Sequence, residues 1–268
     1  MVAGDQSAAI CSRIASEKQI GRAGAGWLHT LRDNAVERPV WHTVKHAEHK
    51  RPLVEMSTLA NQFCREMRQT SLVWLSNELC VSCDSLRQLR VGWSKQRRAF
   101  SFPMREPNGN VCGIRYRAYS GDKFSERGSR EGMFFHPPSI NQSYLVIVEG
   151  ASDTTATMDL GFMSVIGRAS CHGNIEQVAT LCRRKHPKRV VIIPDNDECG
   201  WHGATMLQNG LVELCSVQSR LLGLPEGVKD VLQCIQQTES AEWLRDQLGT
   251  LTESSPTKHE ATSNDNDN

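Results

Sequence analysis

Between residues 57 and 90 apolar side chains return every three or four positions. Leu59, Phe63 and Met67 form one row and Leu72, Leu75 and Leu79 a second, the spacing of buried helix faces. Ser82 offers a hydroxyl to cap a third, shorter helix carrying Leu86 and Leu89. A small helical module is therefore expected over 56–93. The pattern then tightens to strands. Ala99-Phe100-Ser101-Phe102 and the run over 111–119 flank Pro107-Asn108-Gly109-Asn110, and an Asn-Gly turn between two such runs predicts a β-hairpin. Arg115 and Arg117 have the same parity and share one face of its second strand. A turn at Ser120-Gly121-Asp122 leads into Lys123-Phe124-Ser125.

From Tyr144 the rhythm becomes strand, turn, helix. Strands are expected over 145–148, 163–166, 189–193 and 217–222, alternating with helices over 154–159, 175–184 and 200–215. Such alternation predicts the α/β class, with a parallel sheet flanked by helices over 141–248 and a small basic β-rich subdomain before it over 94–140. Residues 1–55 show no clear period and are expected to be poorly defined. Their run Gly21-Arg22-Ala23-Gly24-Ala25-Gly26 lacks the Gly-Lys-Ser/Thr ending of a phosphate loop and follows no apolar strand, so it reads as a flexible segment. The stretch 249–268 is rich in Ser, Thr, Asn and Asp and is expected to be disordered.

Charge sharpens this outline. The net charge is only +1, yet residues 87–131 hold eleven lysines and arginines against four acids. A basic segment ahead of a carboxylate-bearing one suits a protein that guides a polyanion with one part and holds metal with another. No apolar run approaches the roughly 18 residues of a membrane span, and the first thirty residues lack the apolar core of a signal peptide, so a cytoplasmic protein is expected. The ten cysteines are scattered and are expected to be reduced, with Cys112, Cys182, Cys215 and Cys234 acting as small core residues. Cys80-Val81-Ser82-Cys83 has no second pair, and His42, His46 and His49 have no cysteine partner, so no zinc site is expected.

In a parallel sheet, chemistry collects at the carboxyl ends of the strands. Glu149 ends the first strand, in Glu149-Gly150-Ala151-Ser152-Asp153. Asp195 and Asp197 follow the third, in Pro194-Asp195-Asn196-Asp197-Glu198-Cys199-Gly200. Adjacent strand ends lie about 5 Å apart, close enough for these groups to converge. Converging carboxylates repel unless a cation neutralises them, and Mg²⁺, or Mn²⁺ in its place, takes hard oxygen ligands while keeping waters for phosphate exchange. One Asp-x-Asp is commonly a solvated turn. Two acidic motifs in order at strand ends of one α/β unit make a metal site the better reading.

The segments Val146-Ile147-Val148-Glu149-Gly150-Ala151-Ser152-Asp153 and Val191-Ile192-Ile193-Pro194-Asp195-Asn196-Asp197-Glu198-Cys199-Gly200 resemble the two signature motifs of the Toprim superfamily. That superfamily includes DnaG-type and phage primases, topoisomerases, OLD-type nucleases and recombination mediators. The resemblance implies a general acid/base role for Glu149 and metal coordination by Asp195 and Asp197, with Asp153 a further candidate. Gly227-Val228-Lys229-Asp230 is similar to a later Lys-Asp element of primases, which adds Lys229 and Asp230. Upstream, the run from Phe102-Pro103-Met104-Arg105 to Arg115-Tyr116-Arg117, followed by Lys123, resembles the basic subdomain that precedes Toprim in primases. It implies that Arg105, Arg115, Arg117 and Lys123 contact template or triphosphate. Over residues 98–236 the chain thus looks like a primase catalytic core without the usual zinc-binding module. The implied activity is Mg²⁺-dependent primer synthesis from nucleoside triphosphates on single-stranded DNA, with a replicative helicase as a possible partner. A Toprim nuclease, and a non-catalytic DNA-binding accessory of a mobile element or phage, are the alternatives.

Overall fold

The computed structural model of the chain describes residues 8–11, 16, 18–20, 26–30 and 55–253, in two units, 1–53 and 54–268. In the first unit, β1 (Ala8–Cys11), β2 (Lys18–Ile20) and β3 (Gly26–Thr30) pair antiparallel in the order β1-β3-β2. The Ser16 hydroxyl donates to the Leu28 carbonyl at 2.6 Å. Three strands thus lie within the segment expected to be poorly defined; strands this short are made by pairing and are too brief to show a period. Residues 21–25, the three histidines 42, 46 and 49, and residues 254–268 lie outside the described residues.

The second unit opens with α1 (Met56–Glu66), α2 (Gln69–Leu79) and α3 (Cys83–Gln88). Ser82 caps α3 as expected, accepting the Ser85 N–H at 3.1 Å. Leu72, Leu75, Leu79, Leu86 and Leu89 are buried. Then follow β4 (Gly92–Ser94), β5 (Ala99–Arg105), β6 (Val111–Ala118), β7 (Lys123–Ser125) and β8 (Met133–Phe134). The β5–β6 hairpin closes through the Gly109 N–H on the Glu106 carbonyl at 2.8 Å, with Gly109 at a φ of +92°. After it come β9 (Leu145–Glu149), α4 (Gly150–Asp159), β10 (Val165–Arg168), α5 (Ile175–Lys185), β11 (Val190–Ile192), α6 (Glu198–Cys215), β12 (Arg220–Leu221), α7 (Val231–Ile235) and α8 (Thr238–Glu253).

All strands of this unit join one nine-stranded sheet in the order β12-β11-β9-β10-β8-β5-β6-β7, with β4 also on β5. The parallel part, β12 to β10, meets the antiparallel hairpin region through β8, which pairs with both β10 and β5. The basic region and the α/β region, expected as neighbouring subdomains, therefore share a sheet. Each face of the parallel part carries its own core. Val146, Val148, Val165 and Val191 pack with residues of α4, α7 and α8. Leu145, Ile147, Ile166, Val190 and Ile192 pack with α5 and α6. Burial on both faces explains why these strands read as continuous apolar runs.

The expected disorder is corrected over residues 249–253, the described part of that stretch. Helix α8 runs to Glu253, because Leu244, Leu248 and Thr252 are buried along one face and the Thr252 hydroxyl donates to the Leu248 carbonyl at 2.6 Å. A threonine at the third position hid that row. Among the described residues no helix is long and apolar enough to cross a membrane.

Candidate active site

Strands β9 and β11 are adjacent and parallel, with Ile147 opposite Ile192, so the segments leaving their carboxyl ends are neighbours. Glu149 is the last residue of β9. Gly150, at a φ of +86°, lets the chain turn directly into α4. Beyond β11, Asp197 caps α6, its carboxylate accepting the Gly200 N–H at 2.8 Å. Gly200 is required for space: a Cβ there would stand 2.3 Å from the Asp195 carbonyl oxygen. The Asp195 backbone N–H acts on the Glu149 carboxylate, favouring its charged form. Asp230 caps α7, accepting the Gln233 N–H at 2.7 Å, and the Asn196 N–H donates to the Lys229 carbonyl at 2.6 Å. That bond ties the Asp195–Asp197 segment to the turn before α7. Asp153 is buried within α4 and accepts the Leu232 N–H at 2.8 Å.

The charges press on one another. Burial, then the negative charges of Glu149, Asp230 and Asp197, push the Asp195 carboxyl up to about 7, against the pull of Lys229. Burial, then Asp230 and Asp195, push Asp153 up to about 8, opposed by the Leu232 N–H and Lys123. Glu149 is also raised, chiefly by burial, with Arg168 opposing and Asp197 adding. Its Oε1 is buried and has no hydrogen-bond partner. Such an oxygen needs a cation or a proton donor to offset its lost hydration. Among the described residues these carboxylates do not gather three ligand oxygens within 4.8 Å of one another. The set fits a hard cation that keeps several of its waters and reaches some carboxylates through them.

Arg115, Arg117 and Lys123 line an open cleft together with Gly150 and Ser152, which follow Glu149 on α4. The Arg115 guanidinium donates to the Ala169 carbonyl at 3.5 Å. Lys229 is exposed and stands close enough to Asp195 to lower its pKa. Arg105, expected with the cleft residues, does not line the cleft. Strand β5 is buried along its whole length, and Arg105 donates to the Gly109 carbonyl at 2.9 Å in its own hairpin turn.

Sequence reasoning missed Arg168. It ends β10 directly opposite Glu149 in the parallel register and is 1% exposed. Its guanidinium donates to the carbonyls of Gly173 and Gly203, each at 3.2 Å, and to that of Cys171. An arginine closing an apolar strand at the same sheet edge as Glu149 was the available signal. The structure also joins Cys171 to Cys199 as a disulfide, correcting the expectation of uniformly reduced thiols. The pairing links two loops distant in sequence, which spacing along the chain could not reveal. Cys80 and Cys83 are free, and the described residues place no third ligand with them.

Helices on both faces of a parallel sheet, an antiparallel basic extension and acids at the strand ends together make the fold of a DnaG primase catalytic core. The Aquifex aeolicus primase, solved with its zinc-binding and RNA polymerase domains, is similar at a TM-score of 0.59 and 17% identity, over 73% of this chain and 60% of that one. The E. coli primase catalytic core is similar at 0.57 and 15%, over 72% of this chain and 78% of that one. A DnaG primase catalytic domain bound to single-stranded DNA gives 0.56 and 16%, over 72% and 77%. No family model matches the chain, and no curated protein matches it.

Proposed function

We propose that the chain is a primase-like nucleotidyltransferase that builds a primer from nucleoside triphosphates on a single-stranded DNA template. The observation that carries this reading is the buried, unpartnered Glu149 Oε1 at the meeting of an acidic cluster and an arginine-lined cleft. Asp195 and Asp197 would hold Mg²⁺ or Mn²⁺, with Asp230 in support. The bound ion would neutralise phosphate charge and lower the pKa of a 3′-hydroxyl. Glu149, with its raised pKa, would accept the proton from that hydroxyl. Arg115, Arg117 and Lys123 would orient template or triphosphate through charge-assisted bonds, and Lys229 would balance the acidic side. Asp153 is the group behind the site, too buried to meet substrate. Arg105 would hold the hairpin that presents the other arginines. The fold shared with a catalytic domain bound to single-stranded DNA supports the template class.

The test supplies single-stranded DNA, labelled nucleoside triphosphates and Mg²⁺ or Mn²⁺. The wild type is expected to make short labelled oligonucleotides. Glu149→Gln is expected to reduce their yield by about 10²–10⁴-fold, the usual contribution of a general base. Shortened template without new product would turn the reading to a nuclease, and neither product would leave a DNA-binding accessory.

A further inference from the structure

A second cluster of metal-ligating side chains lies on the loop after β10 and the first turn of α6. Those segments are brought together by two features already in the fold. Buried Arg168 donates to the Cys171 and Gly173 carbonyls of the loop and to the Gly203 carbonyl of α6. Gly203 permits the approach, since a Cβ there would stand 2.0 Å from the Cys171 carbonyl oxygen. Cys171 and Cys199 thereby come to a Cα separation of 6.4 Å with their sulfurs in bonding contact.

A disulfide needs only those two residues, yet an imidazole stands against it and a second ring lies beside that imidazole. His172 Nδ1 lies 3.1 Å from the Cys171 sulfur and 3.8 Å from the Cys199 sulfur. These three ligand atoms fall within 4.8 Å of one another, the one such set among the described residues. The ring of His202 has its centroid 5.6 Å from that of His172. Cys199 and His202 stand three residues apart on α6, so they share one side of its first turn. A tetrahedral zinc ion, with Zn–S about 2.3 Å and Zn–N about 2.0–2.1 Å, holds its ligand atoms about 3.3–3.8 Å apart. The His172 distances bracket that range.

We propose that Cys171, His172 and Cys199, with His202 turning in as the fourth ligand, form a Cys₂His₂ site for zinc or a similar borderline-soft divalent cation, beside the carboxylate cluster but different from it in ligand chemistry. Two thiolates and two imidazoles select such an ion over Mg²⁺, which prefers oxygen. His172, Cys199 and His202 are exposed, so an ion can enter the folded protein. The disulfide is the oxidised alternative to the metal-bound form. A thiol reductant converts it: two reductant thiols become one disulfide, and the two protein thiols are released. Zinc then binds both sulfurs as thiolates, with loss of two protons. The ion would clamp the loop to α6 two residues from Asp197, whichever reaction the carboxylates serve.

The test uses the full chain, treated with a dithiol reductant that is then removed without air. Co²⁺ is added with Mg²⁺ in large excess to occupy oxygen sites, followed by Zn²⁺. Expected are a thiolate-to-cobalt charge-transfer band, its bleaching by zinc, and about one zinc per chain by elemental analysis. Cys171→Ser and Cys199→Ser should lose the band. His172→Asn should weaken zinc binding by more than the about 10–100-fold that follows loss of an outer-shell partner. Asp195→Asn should retain zinc, which separates this site from the acidic one. If the cysteine variants fail to fold, His172→Asn still decides, because its side chain is exposed. Wild type whose thiols titrate as reduced but which shows no charge-transfer band would overturn the proposal. So would unchanged binding in His172→Asn.

Discussion

At the scale of single residues, Asp153 carries an unusual strain of charge. Its folded carboxyl titrates at about 8, against about 3.9 in an unfolded chain. Between those values the folded state binds more protons than the unfolded state, so stability falls as pH rises from about 4 to about 8. Asp153→Asn keeps an oxygen for the Leu232 N–H and removes the charge. Thermal unfolding in metal-free buffer should show the wild type losing melting temperature toward pH 8 more steeply than the variant, with the variant the more stable there. Parallel profiles would refute a buried charge at this position. That Glu149, Asp195 and Asp197 stand at or just past the ends of strands was legible in the sequence because each ends or follows an apolar run, whereas Asp230 came only from the family resemblance. Arg168 was not. Its only local sign was an arginine closing an apolar strand; what singles it out is the register that sets it opposite Glu149, a long-range fact of strand pairing.

At the scale of elements, the β5–β6 hairpin was readable from its Asn-Gly turn, and the three amino-terminal helices of the second unit from their leucine spacing. Both rest on local rules. The consequence of Arg115 and Arg117 sharing a face is testable as a unit. Arg115→Ala and Arg117→Ala should each weaken binding of single-stranded DNA, and each should lower the slope of log affinity against log salt by about 0.7. Fluorescence anisotropy at several salt concentrations measures this. An unchanged slope would remove these residues from the nucleic-acid interface. Arg105, two strand positions past Pro103, looked equivalent in the sequence, but β5 is buried on both faces and its hairpin turn takes up the guanidinium. Strand β8, with two residues, fell below the length at which alternation is visible.

At the scale of the molecule, that missed strand removes the boundary drawn near residue 140. Leu75, Phe102 and Phe134 belong to the same core cluster as Val148 and Val191. Residues 54–253 should therefore unfold in one cooperative transition, with fluorescence and circular dichroism coinciding. A fragment of 141–253 should lose near-ultraviolet dichroism and bind a hydrophobic dye, since it exposes that core and the β10 edge. A fragment with native-like dichroism would show that the two regions fold independently.

The narrowness of β8 has a further consequence for how this chain tolerates change. Met133 belongs to the core on one face of the sheet and Phe134 to the core on the other. Adding or deleting a single residue here would exchange their faces. With only two pairing positions, no length of strand remains over which the ladder could regain its phase. Insertions on either side of β8 can lengthen loops freely, whereas one residue within it would put the arginine-bearing half and the carboxylate-bearing half out of step.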